Sequence, residues 1–551
     1  MKPFKALHEA VRAKQILTVL ARQGFANLLN QLDLHPGFLK HVLPHPTPRR
    51  TAERIRLAAE ELGPTFVKLG QMLSMRPDVV PHEIILELRK LQDQVPPLPF
   101  DVMRPVLVEG LGCEPSEIFS EFDETPTASA SLAQVYIGRL RAGGEPVAVK
   151  IQKPGIRQQI ETDFDLAEWL AGLLHQRVPA LKPVDLPTVM AEARASMLRE
   201  LDFRLEAQNQ EYFNTLNPHP EQVFAPKVYR DACSECVLVM ERVVGTSISR
   251  AETIPADERR KLAGYGAVSI SRQVFISGFF HADPHAGNIF FTGDGRLCFL
   301  DWGMAGNLTR RLRYAVADFW VASVEQDTEK IVQIAADLAP VDARPDLRAM
   351  ERDVTLALRE ELNFAIGRAS LGKAMLRLLF IFGQNGIFLA RDYSLMAKAV
   401  LSIEEVGVRL DPEFDLRTYV TPVLGELQRE RLNPVTLARR TRDVVRQAIL
   451  GIQDLPFDLR RLLRRLEHDN ISINLHHKGL EQHDEAVKIA SNRITLGVII
   501  GSLVIGSSLI VTTHIPPYLF GYSALGIVGY LISGVLGLYV IWDIIFHGRH
   551  K

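Results

Sequence analysis

Four polar residues near the middle of the chain have types and spacings that suit phosphoryl-transfer chemistry. They follow the pattern H-x-D-x-H-x-x-N and are His281, Asp283, His285 and Asn288. An Asp-Trp-Gly triplet begins at Asp301. Apolar runs on both sides of Gly293-Asp294-Gly295 predict a β-hairpin, which would bring Asn288 and Asp301 to the same end of two paired strands. A carboxylate and an amide oxygen in that position suit a hard divalent ion such as Mg²⁺.

This pattern has two interpretations. Asp283 precedes Asn288 by five residues, which is the separation between the base and a metal ligand in the protein-kinase catalytic loop. Alternatively, His281, Asp283 and His285 alternate on a strand and chelate a transition metal from one face. The second interpretation leaves Asn288 and the triplet without a role. The phosphotransferase interpretation therefore depends on whether nucleotide-binding parts lie upstream.

The upstream sequence predicts a loop of small residues between two strands, followed by a lysine. Residues 127–136 run from small residues into a strand, a turn follows at 141–145, and Val-Ala-Val-Lys ends at Lys150. In kinases a glycine-rich loop at this place covers the phosphates, and the lysine contacts them. Alanines here still permit close approach of the backbone but restrict its φ/ψ range. The residues that we expect to contact nucleotide are Ala128, Ser129, Ala130, Ser131, Leu132 and Ala133.

The next segments supply acidic partners for the lysine and a candidate hinge. Residues 190–212 read as one helix, and its candidate acids are Glu200, Asp202 and Glu206. Because Asp202 lies well round that helix from the other two, the acids can serve different lysines. An apolar strand at 237–240 then leads into a hinge whose backbone would hold the adenine edge. The hinge residues are Met240, Glu241 and Val243.

Residues 51–76 read as two helices separated by Gly63-Pro64. Lys68 and Gln71 are three apart and share one face of the second helix. Gly70 lies between them, and we expect it to permit close approach of another backbone. The pattern alone assigns this helix no function.

Composition limits the function classes that the chain can serve. Its 551 residues predict several domains. The 64 basic residues nearly balance the 65 acidic ones, which argues against a nucleic-acid-binding protein, since those are basic overall. Four cysteines are too few for a disulfide framework and indicate a reducing compartment. Cys233 and Cys236 form a CxxC without a second pair for a zinc site, so we interpret them as structural.

Two uncharged stretches, 494–513 and 519–542, are each long enough to cross a bilayer. A Pro-Pro corner between them predicts a hairpin, and the basic residues at both ends predict that both termini are cytoplasmic. A stripe of small residues permits transmembrane pairing, including a homodimer, and consists of Gly529, Ser533 and Gly537. Arginine clusters between 429 and 466 would meet anionic headgroups.

Together these motifs resemble the UbiB family of atypical, protein-kinase-like ATPases linked to ubiquinone biosynthesis. The resemblance covers roughly residues 50–420, and the C-terminal hairpin is similar to that of bacterial UbiB proteins. The family's KxGQ motif corresponds to Lys68-Leu-Gly-Gln71, its alanine-rich loop to residues 128–133 and its ExD motif to Glu200-Leu-Asp202.

The resemblance implies a role for each residue of the nucleotide site. Lys150 would hold the α- and β-phosphates and pair with Glu206. Asn288 and Asp301 would hold Mg²⁺, and Asp283 would be the base or the carboxylate that orients water.

The resemblance also implies that the helical extension covers the active site. Lys68 and Gln71 would lie over it, with Lys68 near Glu200 or Asp202. They would occlude space that a protein substrate needs, so ATP hydrolysis would be favoured over protein phosphorylation.

The implied fold class is α+β: a two-lobed protein-kinase-like fold with an N-terminal helical KxGQ extension and a C-terminal transmembrane α-hairpin. The expected divisions are the extension (1–110), the N-lobe (111–242), the C-lobe (243–428), a basic linker (429–490) and the hairpin (491–551).

The implied function is a membrane-anchored ATPase that uses ATP and Mg²⁺ and supports ubiquinone biosynthesis at the bacterial inner membrane, with a cytoplasmic catalytic domain. Its expected partners are membrane lipids, polyprenylated quinone precursors and quinone biosynthetic enzymes. Two alternatives stay open: a non-catalytic nucleotide-binding scaffold, and a small-molecule or lipid phosphotransferase.

Overall fold

The computed structural model describes residues 3–32, 50–76, 79–91, 95–178, 184–339, 345–362, 370–387, 389–432, 481–513 and 516–547. The chain divides into two compact units, 1–437 and 438–551. Most of the predicted basic linker lies at 433–480, outside the described residues. The finer domain boundaries stay predictions.

The first unit begins with helices. They are α1 (Pro3–Leu20), a π-helical turn (Ala21–Phe25), α2 (Ala26–Gln31), α3 (Thr51–Leu62), α4 (Pro64–Leu73), α5 (His82–Leu88) and α6 (Phe100–Leu111). Helix α3 ends where Gly63 adopts a φ of 97°, a value that favours glycine, and Pro64 begins α4. The expected backbone approach at Gly70 is wrong. A Cβ there would lie 2.5 Å from Leu91 and 3.2 Å from Leu88, so Gly70 makes room for side chains.

An antiparallel sheet forms the core of the N-terminal lobe. After the short helix α7 (Pro115–Ile118), its strands are β1 (Phe119–Phe122), β2 (Ala128–Ser129), β3 (Ala133–Leu140), β4 (Pro146–Gln152) and β6 (Val237–Glu241). The sheet order is β1-β3-β4-β6, with β2 on β3. Strand β5 (Val223–Phe224) precedes β6 in the chain but belongs to the sheet of the C-terminal lobe. In β4, Val147, Val149 and Ile151 are fully buried in the core. Because strand side chains alternate, Lys150 points to the opposite face of the sheet.

Three helices lie between β4 and β5 in the chain: α8 (Ile156–Arg177), α9 (Leu186–Glu200) and α10 (Phe203–Leu216). The prediction of one helix over 190–212 is wrong, because the helix breaks at Leu201 and Asp202. Asp202 has φ −92° and ψ 95°, and its carboxylate accepts the N–H of Arg204 as the N-cap of α10. The break places Glu200 at the end of one helix and Glu206 in the first turn of the next.

The C-terminal lobe contains the predicted hairpin. Its strands are β7 (Gly245–Ser247), β8 (Phe279–His281), β9 (Ile289–Thr292), β10 (Leu297–Phe299) and β11 (Ala305–Asn307). Strands β9 and β10 pair antiparallel, as predicted, within a sheet of order β5-β10-β9-β7, while β11 pairs with β8. Trp302, between β10 and β11, is fully buried in the core of this lobe.

The helices of this lobe are α11 (Ala256–Arg272), α12 (Arg310–Glu325), α13 (Thr328–Leu338), α14 (Leu347–Glu361), α15 (Leu371–Gln384), α16 (Arg391–Leu410) and α17 (Leu416–Leu432). Helix α16 packs against α11, α15 and β11. Nearly every residue of α16 from Tyr393 to Val406 is buried, so this helix is held firmly against its neighbours, including β11.

The second unit contains two long apolar helices, α18 (Glu481–Thr512) and α19 (Ala524–His547). Residues 491–512 and 524–542 have mean hydropathies of 2.3 and 2.1 and are candidate membrane spans. The two helices pack on each other. Gly529 lies against Ser507, and Ser533 is buried, so this part of the small-residue stripe packs inside the hairpin itself. A Cβ at Gly537 would meet nothing within 4 Å.

Candidate active site

The fold brings Lys150 together with two of the predicted acids. Its Nζ lies 2.9 Å from Glu206 Oε2 and 3.0 Å from Glu206 Oε1. Asp301 Oδ2 lies 3.8 Å from the same Nζ. Only 4% of the Glu206 side chain is exposed, so this ion pair joins β4 to the first turn of α10 inside the lobe.

The KxGQ lysine forms a second ion pair beside the first. Lys68 Nζ lies 2.5 Å from Glu200 Oε1, and both side chains are about 15% exposed or less. A Cβ on Gly303 would lie 3.1 Å from Asp301 Oδ1, 3.7 Å from Glu206 Oε2 and 3.9 Å from Glu200 Cγ. Carboxylates from α9, α10 and the Asp-Trp-Gly turn therefore converge at one place.

Two predicted residues have other partners. Asp202 accepts hydrogen bonds from the Arg204 guanidinium at 2.8 and 2.7 Å, so Lys68 pairs with Glu200 rather than Asp202. The Gln71 amide donates to the Leu91 carbonyl at 3.2 Å, within the extension, rather than to the lysine–carboxylate cluster.

Burial and charge act against each other in this cluster. Burial lowers the pKa of Lys150, but Asp301 and Glu206 outweigh burial and raise it above its usual value. Burial raises the pKa of Glu206 to about 7, against the lowering effect of Lys150. Burial also raises the pKa of Asp301, but Lys150 outweighs it and holds that pKa well below the usual range. Three carboxylates face two lysines, so one more cation would balance the charge of the cluster.

The HxDxH segment is a loop rather than a strand. Strand β8 ends at His281, whose buried Nδ1 accepts the Asp283 N–H at 3.0 Å. Burial lowers the pKa of His281 to about 4, so the ring is neutral. His285 Nδ1 accepts the Gly287 N–H at 3.1 Å. The alternative of three side chains alternating on one strand is therefore wrong, and the described residues contain no cluster of three or more His, Cys, Asp or Glu suited to a metal.

Asn288 and Asp301 suit a magnesium site in which the phosphates of a substrate supply further ligands. The Leu300 N–H donates to the Asn288 carbonyl at 2.9 Å, so the two residues flank the open end of the β9–β10 hairpin. Asp301 Oδ1 accepts the Gly303 N–H at 2.9 Å, which orients the carboxylate. Mg²⁺ takes one or two protein carboxylates together with substrate phosphates, so a donor set of this size suits it.

The alanine-rich loop is a tight turn. Ala128 and Ser129 pair with β3, and the Ala130 N–H donates to the Ala133 carbonyl at 2.9 Å. The hydroxyls of Ser129 and Ser131 are buried and find no hydrogen-bond partner among the described residues. The Leu132 side chain packs in the hydrophobic core instead.

The residues predicted to form the hinge lie at the end of β6 and after it. Met240 is buried, and its Sδ lies 3.6 Å from the Gln210 amide. The Glu241 N–H already donates to the Lys227 carbonyl at 2.8 Å, so it is not available to adenine in this arrangement. Val243 follows in the loop after the strand.

The chain is similar to known proteins over most of its length. A model of the ABC1 atypical kinase-like domain matches residues 90–335, and a model of the ABC1/UbiB kinase-like C-terminal domain matches residues 478–546. A probable protein kinase UbiB of Aeromonas salmonicida (strain A449) is 31% identical over 92% of this chain and 94% of its own length. The chain belongs to the ABC1/UbiB family.

Other relatives extend the comparison. An uncharacterized protein in the hydrogenase 1 5' region of Clostridium pasteurianum is 29% identical over 98% of this chain and 99% of its own. The solved complex of Rv3197 with erythromycin from Mycobacterium tuberculosis is 22% identical, covers 66% of this chain and 98% of its own, and has a TM-score of 0.41.

Family membership confirms the predicted α+β, kinase-like fold with helices before it and two apolar helices at the C-terminus. The C-terminal family model coincides with the second unit's hairpin. An ABC1/UbiB protein with this fold is kinase-like and suited to bind nucleotide.

One charged residue of this ABC1/UbiB site was missed by the sequence reasoning. Lys398 Nζ on α16 lies 2.9 Å from Asp283 Oδ2. Burial raises the pKa of Asp283, but Lys398 outweighs it and holds the pKa below its usual value. The signal that was available is a lone lysine in the apolar run Leu-Met-Ala-Lys-Ala-Val-Leu at 395–401.

Proposed function

We propose that this ABC1/UbiB chain is a membrane-anchored, Mg²⁺-dependent ATPase that supports ubiquinone biosynthesis by handling polyprenylated quinone precursors. The observation that carries the proposal is the pairing of Lys150 with Glu206 next to Asp301, with Asp283 on the neighbouring loop. These are the parts that position a triphosphate and its nucleophile in kinase-like enzymes. The name UbiB of the relatives supports the link to ubiquinone.

Each residue then has one task in the reaction. Lys150 binds the α- and β-phosphates, while Asn288 and Asp301 hold Mg²⁺, which neutralises phosphate charge. Asp283 orients the attacking water and accepts its proton. A bond forms between the water oxygen and Pγ, and the bond from Pγ to the β–γ bridging oxygen breaks. The electron pair of that bond leaves with ADP, and inorganic phosphate is the second product.

The extension favours hydrolysis, or a small acceptor, over a protein substrate. The Lys68–Glu200 ion pair ties α4 to the end of α9, next to the carboxylate cluster. A protein substrate would have to displace this buried ion pair, and breaking such a pair is costly. Water and a small lipid head group need much less space.

The hairpin supports action at a membrane surface. Its two apolar helices are long enough to span a bilayer, and Arg493 precedes the first uncharged stretch. We propose that it anchors the enzyme in the bacterial inner membrane with the kinase-like unit in the cytoplasm. Precursors with polyprenyl tails partition into the same bilayer, so the anchor keeps enzyme and precursor together.

The test is ATP hydrolysis by the full-length protein in vesicles that contain anionic lipid, with Mg²⁺ and with or without a phenolic quinone-precursor mimic. Asp283→Asn is expected to bind ATP normally and to lose about 100-fold or more in turnover. The matched control is Asp294→Asn, an exposed carboxylate in the turn of the β9–β10 hairpin, which should hydrolyse ATP like the wild type.

Two results would count against the proposal. Wild-type turnover by Asp283→Asn would remove Asp283 from the reaction. Nucleotide binding without turnover under every condition would replace the ATPase with a nucleotide-binding scaffold.

A further inference from the structure

The contact between Lys398 and Asp283 joins two distant parts of the C-terminal lobe. The Nζ–Oδ2 distance is 2.9 Å, and each side chain is 26% exposed, so the pair lies at the edge of the site and solvent reaches it. Its neighbours in α16, Ala397 and Ala399, are fully buried. A rigid helix therefore presents the ammonium group to the loop that carries the proposed base.

The catalytic loop itself provides no lysine or arginine. Between Asp283 and Asn288 the residues are Pro284, His285, Ala286 and Gly287. The His285 ring is turned into its own loop, where it accepts the Gly287 N–H. A basic side chain in contact with Asp283 must therefore come from another element, and α16 supplies one.

We propose that Lys398 is a second phosphate-binding lysine, which binds the γ-phosphoryl group and stabilises the charge on it during transfer. This inference rests on the proposed phosphoryl-transfer function. The attacking oxygen must contact both Asp283 and Pγ, so a cation that contacts Asp283 is within reach of the γ-phosphate oxygens. An ammonium has three donors, so Lys398 can keep one hydrogen bond to Asp283 and give the others to phosphate.

The two lysines then divide the nucleotide between the lobes. Lys150, on β4 of the N-terminal lobe, binds the α- and β-phosphates, and Lys398, on α16 of the C-terminal lobe, binds the γ-phosphate. During transfer the acceptor oxygen bonds to Pγ, the bond to the bridging oxygen breaks, and Asp283 takes the acceptor's proton. ADP lacks the group that Lys398 binds, so this lysine should distinguish ATP from ADP.

Nucleotide affinity tests this inference directly. The full-length protein with Mg²⁺ is titrated with ADP and with a non-hydrolysable ATP analogue that has an imido β–γ bridge. Lys398→Met should weaken binding of the analogue about tenfold or more, the range for a lost hydrogen bond to a charged group, and leave ADP binding unchanged. Lys398→Arg should retain part of the preference for triphosphate. The control is Lys373→Met, an exposed lysine on α15, which should change neither affinity.

A second background separates direct from indirect action. Asp283→Asn removes the carboxylate that pairs with Lys398, so an effect of Lys398 that acts only through Asp283 disappears in this background. A lysine that binds phosphate directly should still cause a selective loss of triphosphate affinity when it is replaced. Two results would each overturn the inference: a ratio of the two affinities that is unchanged in Lys398→Met, whether neither affinity or both fall, and disappearance of the effect in Asp283→Asn. Absence of hydrolysis by the wild type would refute the ATPase and leave the affinity ratio measurable, so the two failures are distinguishable.

Discussion

The ion pair between Lys150 and Glu206 gives the sharpest prediction. Lys150→Met keeps an unbranched side chain and removes the ammonium that contacts both Glu206 oxygens at 2.9 and 3.0 Å. Two effects should follow. Nucleotide loses a charged partner, and Glu206, which is 4% exposed, loses the cation that compensates its burial.

The sizes of these effects follow from the structure. Loss of the hydrogen bonds to phosphate should weaken ATP binding by about 10- to 100-fold. A buried Glu206 without Lys150 stays protonated, whereas in the unfolded chain its pKa returns to the usual 4.5. The wild type, in which the pKa of Glu206 is about 7, already carries the cost of a protonated Glu206 up to that pH. Each pH unit above it costs Lys150→Met about 1.4 kcal/mol more than the wild type, so the extra loss of stability from this carboxyl should be about 0.7 kcal/mol at pH 7.5 and close to zero at pH 5.5. The pKa is higher in the folded protein, so this part of the stability is present at low pH and is lost as the pH rises.

The assay combines denaturant unfolding at both pH values with ATP titration. Glu206→Gln in the Lys150→Met background removes the buried carboxylate, so it should restore the stability at pH 7.5 but not the ATP affinity. The control is Lys227→Met, an exposed lysine of the same lobe. If Lys150→Met bound ATP like the wild type, or lost equal stability at both pH values, the reasoning about this pair would be refuted.

Two further predictions concern the hairpin and the catalytic loop. Gly529→Val should force α19 away from Ser507 on α18, whereas Gly534→Val should not, because a Cβ at Gly534 meets nothing within 4 Å. The separation of the helices can be measured as the yield of a disulfide between cysteines introduced on α18 and α19, which should be several-fold lower in Gly529→Val than in Gly534→Val. Equal yields would contradict the prediction. Lys398→Met removes the cation that keeps the pKa of Asp283 low, so burial should raise that pKa and move the acid limb of the pH–rate profile to higher pH. An unmoved limb would contradict the role of Lys398.

The parts of the site that follow local patterns could be predicted from the sequence. Strand-like runs on both sides of a turn indicated the β3–β4 and β9–β10 hairpins, and these hairpins position Lys150, Asn288 and Asp301. The pairing of Lys150 with Glu206 was implied by the family resemblance and then observed. The fold class was also implied by the family resemblance and is confirmed by the family match.

The sequence did not reveal features in which two local structures compete, or in which the interacting residues lie far apart along the chain. Helical periodicity continues through Leu201 and Asp202, and only the capping of Arg204 by the Asp202 carboxylate decides that a new helix begins there. Lys398 gives no local sign of its partner, because the packing of α16 in the C-terminal lobe places it next to Asp283. Gln71 likewise gives no local sign of its partner, because the carbonyl of Leu91 that it bonds lies twenty residues further along the chain.

The arrangement of charges suggests how the site selects its nucleotide. Both proposed phosphate-binding lysines already have a carboxylate partner, Glu206 for Lys150 and Asp283 for Lys398. A phosphate shares each lysine with that carboxylate, so only the donors that the carboxylate leaves unused are given to the nucleotide. ADP can engage one lysine, whereas ATP can engage both, and only ATP draws Lys398 towards phosphate. Lys398 would then both select ATP over ADP and, through its contact with Asp283, keep that carboxylate ionised for the reaction.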